Sequence, residues 1–438
     1  MRKTLLYIYY LCVLCKVSVY CSKISANKSC INQVIDRYDS SSCNLFWNCT
    51  AEVLLNEWKL GINRQNFDTQ ILRRLGHTPM WLRIKNGKLH CVQETNMNFS
   101  NLRIKEYRAR HYLNRINRIL QTSQNSIPEG TEWFTHHSDY VKVQRNTALF
   151  PVFANSGASG YSDIPGIPFM SFSDQIFKSE NEAFHAYHNN KIAFDEQWKA
   201  KRNEAFFLGA LSDCSNAREH HSGLIFHCAR AKVILEAAVK KEALLGGVHT
   251  TSEIFKNGDL GLYGFHNCTD CYRRSLNGRD FARELRSHKY LLNLPGAGNW
   301  SRRMSTLLRA GSLIFQAESS GYQFYEFGMK PGIHYISFDP EVGRPGAGNL
   351  ISRIEWAVNN EGIAKKIARR ATTFGDNCLT EESIDYYTKT LLRRYHSLLV
   401  GNVSEHKMID LSSCHCRSSE KKCRIARVCK GLLERCWN

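Results

Sequence analysis

The second half of the chain alternates short apolar segments with longer segments of helical periodicity, and this alternation constrains the fold more than any other feature. The apolar segments predict strands at 205–211, 289–294, 312–316 and 334–338. The periodic segments predict helices at 223–245, 299–310, 350–371 and 381–399. Because strands that alternate with helices form parallel sheets covered on both faces, the sequence predicts an α/β fold.

The first half is less regular. Its cysteines at 30, 43, 49 and 91 are typical of a segment stapled by disulfides. Beyond it we predict a helix at 102–121, a buried strand at 147–154, a long loop at 157–168 and a polar bridging helix at 178–201.

The length of 438 residues suits two domains plus extensions. We predict a signal peptide (1–21), an N-terminal domain (22–190), a C-terminal domain (191–400) and a basic, Cys-rich tail (401–438).

The N-terminus has the pattern of a secretory signal. Arg2 and Lys3 precede a short apolar run that Lys16 interrupts, and small or polar residues follow. This run is short for a membrane span, so a type II anchor is the less favoured alternative. Since no later stretch is long and apolar enough to cross a bilayer, we expect the mature chain in the endoplasmic reticulum or Golgi lumen, or outside the cell.

Cysteines and sequons agree with that route. Of the 17 cysteines, three lie in or beside the signal, which leaves 14, an even number suited to disulfides in an oxidising compartment. Asn-x-Ser/Thr sequons begin at Asn27, Asn48, Asn98, Asn267, Asn299 and Asn402.

The net charge of +19 attracts anions. Nucleic acid, a nucleotide-sugar diphosphate, an anionic glycan and a membrane surface all fit that charge. The predicted secretory route argues against nucleic acid as the partner.

A candidate anion site lies between the strands at 289–294 and 312–316. The strand runs into the loop Pro295-Gly-Ala-Gly298, and the helix that follows carries Arg302 and Arg303 in its first turn. Free N–H groups at a helix N-terminus bind phosphate, and arginine grips phosphate oxygens in a bidentate fashion. An ordinary strand-to-helix turn with solvated arginines is the alternative. The segment lacks both the Walker A ending and the dinucleotide Gly-x-Gly-x-x-Gly pattern.

A metal site has little support. No Asp-x-Asp pair occurs in the sequence, so we expect a donor site that needs no metal and no other cofactor. The pairs Cys268/Cys271 and Cys414/Cys416 lack partner pairs at zinc-finger spacing, and disulfides are the favoured interpretation.

The same region resembles the protein O-glucosyltransferase family, which includes fungal capsule-associated glycosyltransferases. The specific block comprises Lys289-Tyr-Leu-Leu-Asn-Leu-Pro-Gly296, Ser301, Arg303, Leu307-Leu308, Gly311-Ser312 and Lys330-Pro-Gly-Ile-His-Tyr335. Weaker matches over about 40–400 include Phe150-Pro-Val-Phe153, Asp163-Ile-Pro165, and Phe206-Phe-Leu-Gly209 followed by Arg218.

This resemblance implies a GT-B fold, in which two Rossmann-like domains face each other across a cleft. It implies transfer of glucose or xylose from a UDP-sugar to a Ser hydroxyl, with inversion, on acceptors such as epidermal-growth-factor-like repeats. By position, Arg303 matches the arginine that neutralises the donor diphosphate. The other donor-binding positions that it implies are Asn293, Gly296, Ser301, Gly311, Ser312, Gly209 and Arg218.

For the catalytic base, the resemblance indicates Asp139 in Asp139-Tyr-Val141. A Ser hydroxyl is a poor nucleophile until a carboxylate takes its proton. The alternative for Asp139 is a loop or capping aspartate. The neighbouring His136 and His137 could tune this base, although surface histidines are the safer interpretation for each.

Several departures from the family pattern leave other hypotheses open. Leu208-Gly209-Ala210 replaces Arg-Gly-Ser, Gln323 replaces an acidic residue, and no Lys-Asp-Glu-Leu-like ending is present. The Asn299 sequon lies in the proposed donor loop, where a glycan would block the site, so we expect Asn299 to be unmodified. A catalytically impaired relative that binds glycans or proteins, and a polysaccharide-directed transferase, are the alternatives to a protein O-glycosyltransferase.

Overall fold

The computed structural model describes residues 40–67, 80–92, 106–122, 126–136, 144, 148–158, 161–166, 194–211, 229–240, 243–251, 271–296, 303–319, 321–326, 329–340, 348–403 and 405–414. The predicted signal peptide and the tail beyond Cys414 lie outside these ranges.

The strands are β1 (Ile62–Asn63), β2 (Met80–Lys85), β3 (Lys88–Val92), β4 (Glu132–Thr135), β5 (Val152–Ala154), β6 (Gly157–Ala158), β7 (Asp163–Pro165), β8 (Arg202–Gly209), β9 (Gly247–Thr250), β10 (His288–Asn293), β11 (Leu313–Ala317), β12 (Gly321–Tyr322), β13 (Ile336–Phe338), β14 (Leu399–Val400) and β15 (Met408–Asp410). The α-helices are α1 (Ser40–Leu55), α2 (Glu106–Thr122), α3 (Phe194–Lys199), α4 (Ala229–Lys240), α5 (Gly278–Ser287), α6 (Arg303–Leu307), α7 (Leu350–Asn359), α8 (Glu361–Cys378) and α9 (Glu381–Leu398).

The predicted parallel sheet is confirmed. Its five strands have the order β13-β11-β10-β8-β9, and every neighbouring pair is parallel. Alternate residues of its strands enter two different apolar clusters: Phe206 and Leu291 join one, whereas Phe207 and Leu292 join the other. Both faces of the sheet are therefore covered, which explains why its strands are continuous apolar runs in the sequence.

A second sheet of six strands is built mainly from the first half of the chain. Its order is β15-β3-β2-β4-β5-β7, antiparallel from β15 to β4 and parallel from β4 to β7. The edge strand β15 comes from the segment after 400, which adds this strand beside β3.

Distant parts of the chain are joined at several places. β1 pairs with β14, and β6 pairs with β12, so each of these two small sheets links the first half to the second. A disulfide joins Cys43 of α1 to Cys378 at the end of α8. Cys49, Cys91, Cys271 and Cys414 are also disulfide-bonded, as the sequence predicts.

Several element boundaries differ from the predictions. The predicted helix at 350–371 is two helices, because Asn360 leaves helical geometry at φ −122° and ψ 45°. The predicted strand at 147–154 is observed as β5 only from Val152, directly after Pro151, which has no N–H to donate to a ladder. Beyond α6, Arg309 and Ala310 make i→i−3 bonds that tighten the last turn, and Gly311 ends it at φ +64°.

The predicted polar helix at 178–201 is described only from residue 194, where α3 begins. Within the described residues, no helix has the length and apolar character needed to cross a membrane.

Candidate functional site

The carboxyl ends of the parallel strands form one edge of the five-stranded sheet. Gly209 ends β8, Thr250 ends β9, and Asn293 ends β10. Open α/β sheets bind their ligands in the crevice outside this edge. A donor site on this sheet is therefore expected at this edge.

Arg303 lies at this edge, at the start of α6. Its Nη2 donates to the carbonyl oxygen of Leu208 at 2.9 Å. Its guanidinium carbon stands 4.4 Å from the centre of the Phe207 ring, a cation–π contact. These two contacts fix the guanidinium beside the end of β8.

Gly209 is the residue that leaves room for this guanidinium. A methyl group at its Cα would overlap Nη2 of Arg303 and would stand 3.1 Å from Cζ of Phe207. The structure therefore brings two of the predicted donor-site residues, Gly209 and Arg303, into direct contact, and a side chain at 209 would have to displace the guanidinium from this position.

Arg230, on α4, is a second arginine at the same edge, buried where Arg303 is half-buried, and the sequence interpretation missed it. Its two terminal nitrogens donate to Ala210 O at 2.6 Å and to Leu294 O at 3.2 Å. Its guanidinium also lies 5.7 Å from the centre of the Phe207 ring. The signal that could have found it is an arginine in the first turn of a mostly apolar helix that follows a strand.

Asn293 is almost completely buried at the end of β10. Its Nδ2 donates to Oε1 of Gln316, which is its register partner on β11. Its Oδ1 is buried and has no hydrogen-bond partner among the residues that the structure describes. An unsatisfied buried acceptor is costly and suits a position where a ligand supplies the donor. Gly296, three residues on, is buried where the described part of this loop ends.

Gly311 and Ser312 lie at the opposite edge of the sheet from Arg303. The Oγ of Ser312 donates to His288 O at 2.8 Å, and His288 begins β10 whereas Asn293 ends it. The hydroxyl is thus used by the main chain at the amino ends of the strands. The structure does not bring these two predicted donor-site residues together with Arg303.

Asp139, Ser301 and Arg218 lie outside the described residues, as do His137 and Asn299. Among the residues that the structure does describe, no group of three or more His, Cys, Asp or Glu side chains could hold a metal ion.

His136, three positions before Asp139, is fully buried, so the interpretation as a surface histidine is wrong for this residue. Its ring Nε2 lies 2.7 Å from Oδ1 of Asp163, and its backbone N–H donates to Phe153 O at 2.9 Å. Asp163 is equally buried and begins the Asp-Ile-Pro segment. This pair anchors the chain just before the predicted base.

At Gln323, where the family pattern has an acidic residue, the structure shows a nearby carboxylate. The N–H and the Nε2 of Gln323 donate to the two carboxyl oxygens of Glu326, each at 3.2 Å. Loss of hydration raises the pKa of Glu326 to about 7. An acidic group is therefore present three residues further along the chain.

Residues 40–430 match the model of glycosyl transferase family 90. Protein O-glucosyltransferase 1 of Homo sapiens is 30% identical over 281 residues, which cover 62% of this chain and 64% of the human protein. Protein O-glucosyltransferase 2 of Danio rerio is 23% identical over 313 residues, which cover 69% of this chain and 55% of that protein.

A third relative is the O-glucosyltransferase rumi homolog of Aedes aegypti. It is 25% identical over 229 residues, which cover 50% of this chain and 48% of the mosquito protein. The chain thus spans between about half and two thirds of the length of these three relatives.

Proposed function

Because the chain belongs to glycosyl transferase family 90, we propose that it transfers glucose or xylose from a UDP-sugar to a Ser hydroxyl of a secretory-pathway protein, with inversion at the sugar. The observation that carries the proposal is the position of Arg303 at the carboxyl edge of the parallel sheet. Three relatives named as O-glucosyltransferases support the reaction class. Epidermal-growth-factor-like repeats are the proposed acceptors.

The donor diphosphate would bind at this edge. Arg303 would neutralise it as a planar cation, without a metal or another cofactor. Arg230, whose guanidinium lies 5.7 Å from the centre of the Phe207 ring, adds positive charge to this edge. Gly209 leaves room for the guanidinium of Arg303. The buried Oδ1 of Asn293 would accept a hydrogen bond from the donor molecule. Gly296, Ser301 and Arg218 belong to the proposed donor loops by the family resemblance alone.

Asp139 would be the general base on the acceptor side of the cleft. The buried pair of His136 and Asp163 holds the segment that leads to it. The base takes the proton of the Ser hydroxyl while the oxygen attacks the anomeric carbon and UDP leaves. A single displacement of this kind inverts the configuration at that carbon.

We propose a GT-B arrangement for the chain, with the two sheets in Rossmann-like domains on either side of a cleft. The fully parallel sheet, covered on both faces, supports this for the donor side. The disulfide-bonded cysteines support passage through an oxidising lumen.

A second candidate is a catalytically impaired relative that binds glycans or proteins. The observation that favours it is the replacement of the family's Arg-Gly-Ser by Leu208-Gly209-Ala210. However, Leu208 and Ala210 contribute main-chain carbonyls, which accept bonds from Arg303 and Arg230. A different side chain leaves those carbonyls in place, so the arginines are held despite the departure.

The test combines UDP-sugar turnover with UDP binding. We expect release of UDP from UDP-glucose or UDP-xylose when Ser-bearing epidermal-growth-factor-like domains are present. Asp139→Asn is expected to lower transfer by about 100-fold or more, as loss of a general base does, while UDP affinity stays the same. Arg303→Ala is expected to raise the Kd for UDP about tenfold or more, because a charge-assisted contact worth about 1.5–3 kcal/mol is lost.

Two outcomes would contradict the proposal. Full transfer by Asp139→Asn would show that another group is the base. If well-folded protein consumes no UDP-sugar with any acceptor, the chain is instead a catalytically impaired relative that binds glycans or proteins.

A further inference from the structure

A cavity of about 380 Å³ lies where α9 meets α1 and the turn at Ser126, remote in sequence from the residues of the donor site. Its wall includes Asn48, Ser126, Tyr386, Lys389, Arg393 and Arg394. The volume falls within the range of about 300–1,000 Å³ that is usual for small-ligand sites. The cavity is open to solvent and lined by both polar and apolar surface, and the function proposed above does not use it.

Asn48 is also the first residue of the sequon Asn48-Cys49-Thr50. It is half-buried on α1, and its Nδ2 donates to the hydroxyl of Tyr386 at 2.9 Å. Thr50 is fully buried and bonds to Phe46 O, and Cys49 is disulfide-bonded. An enzyme could reach this sequon only before the helix has packed.

We propose that Asn48 carries an N-linked glycan and that the cavity seats the first N-acetylglucosamine of that glycan. The sugar is added to the unfolded chain from a polyprenyl-diphosphate-linked oligosaccharide. The amide nitrogen forms a bond to the anomeric carbon, the bond from that carbon to the diphosphate oxygen breaks, and the amide loses one proton. The inference rests on passage through the lumen and not on the proposed transferase activity.

The chemistry of the wall suits a sugar ring attached at this point. Glycosylation leaves one N–H on the Asn48 nitrogen, so its bond to Tyr386 can persist. The Tyr386 ring offers an apolar face, and Lys389 and Arg393 offer donors for sugar hydroxyl and acetamido oxygens. Because the ring is covalently fixed at the wall, little further entropy is lost when it packs there.

Two of the three cations in the wall already have partners in the protein. Arg394 lies 3.6 Å from Glu52, which offsets its charge. The Nε of Arg393 is already bonded to Ser126 O at 2.7 Å. Both arginines are thus held by the protein, and the asparagine of a sequon stands in the same wall.

Asn402 provides a matched comparison within the chain. It begins the sequon Asn402-Val-Ser404 and is exposed in the segment after β14, next to Gly401 at φ +88°. A glycan on Asn402 would extend into solvent, whereas the first sugar on Asn48 would be packed against α9.

The experiment uses the full chain secreted from cultured cells. Glycopeptide mass spectrometry is expected to find both Asn48 and Asn402 occupied. The folded protein is then treated with peptide-N-glycosidase in ¹⁸O water, which labels each site as it is released. We expect the Asn402 glycan to be released at least ten times faster than the Asn48 glycan, and the two rates to become equal after denaturation.

A double variant tests the cavity itself. Lys389→Ala/Arg393→Ala is expected to speed release at Asn48 in the folded protein about tenfold and to leave Asn402 unchanged. Lys389→Gln alone, which keeps the Arg393 bond to Ser126, is expected to act in the same direction should the double variant fold poorly. An unmodified Asn48, equal release of the two glycans from folded wild type, or cavity variants with no effect at Asn48 would overturn the proposal.

Discussion

At Gly209 the lack of a side chain leaves room for the guanidinium of Arg303, and at Gly311 it permits a backbone with φ +64°. The first glycine meets a close approach at the carboxyl edge of the sheet. The second ends the turn after α6, in a conformation that L side chains rarely adopt. Substitution of Gly209 therefore tests the site, whereas substitution of Gly311 tests the fold.

Gly209→Ala is expected to weaken UDP binding about tenfold, because the added methyl group displaces Arg303 from Leu208 O. The free energy of unfolding is expected to change by less than about 1 kcal/mol, since the end of a flexible side chain can move. Isothermal titration with UDP and urea unfolding measure the two quantities.

Gly311→Ala is the matched control. It is expected to cost about 1 kcal/mol of stability or more, because φ +64° is unfavourable for alanine, and to leave UDP affinity unchanged. Equal effects of the two alanines on UDP affinity would contradict the assignment of the site to the carboxyl edge.

Glu326 makes the stability of the fold depend on pH. Desolvation raises its pKa from the ordinary 4.5 to about 7. Between these values the folded state binds more protons than the unfolded state. The stabilisation that Glu326 contributes is therefore fully present below about pH 4.5 and is lost as the pH rises through 7.

Glu326→Gln removes this titration while it keeps the shape of the side chain. We expect the variant to gain stability relative to wild type as the pH is raised from 5 to 8, measured as the free energy of unfolding in urea. Glu355→Gln, on the exposed face of α7, controls for the loss of one carboxylate. If the free energies of unfolding of Glu326→Gln and wild type differ by the same amount at pH 5 and pH 8, the raised pKa assigned to Glu326 is contradicted.

At the scale of elements, Arg230 joins α4 to the ends of β8 and β10 through Ala210 O and Leu294 O. Arg230→Lys is expected to destabilise the protein by about 1–3 kcal/mol, because a single ammonium cannot fork between two buried carbonyls. Amide hydrogen exchange at the ends of both strands should become faster. The control is Arg279→Lys on the exposed face of α5, and equal exchange in the two variants would contradict this role.

Elements whose apolar pattern is local could be predicted from the sequence. The bounds predicted for β8, β10 and β11 lie within one to three residues of those observed, because each strand is a buried run between polar turns. The break at Asn360 was missed because periodicity continues across it. The strands β2 and β3 were missed because cysteines and charges obscure their alternation.

The residues of the site differ in the same way in how well the sequence predicts them. Arg303 was found because a local family motif surrounds it. Arg230 and the pair of His136 and Asp163 were missed, since each depends on contacts between residues far apart in the chain. The opposite-edge position of Ser312 was also invisible, because a motif does not state on which end of a strand its residues lie.

At the scale of the whole molecule, α9 returns to the first half of the chain. Trp47 of α1 donates to Ser383 of α9 at 2.7 Å. Two arginines of α2 form ion pairs of 2.7–3.0 Å with two acidic residues of α9, namely Arg115 and Arg118 with Glu381 and Asp385. One apolar cluster runs from α1 through both sheets to α9, so we expect the two halves to unfold together.

The disulfide between Cys43 and Cys378 reinforces this closure, because it joins residues 335 positions apart. Cys43→Ala/Cys378→Ala is expected to cost about 3–5 kcal/mol, chiefly by releasing the unfolded chain from a long loop. Since the apolar cluster is continuous without the disulfide, calorimetry should still show a single transition at a lower Tm. The double variant Cys43→Ser/Cys378→Ser has side chains of similar size but higher polarity, so it separates loss of the cross-link from loss of packing. Comparable losses of stability in both double variants would indicate that the cross-link is the cause. Two separate transitions in either variant would mean that the disulfide, and not the shared cluster, makes the two halves one cooperative unit.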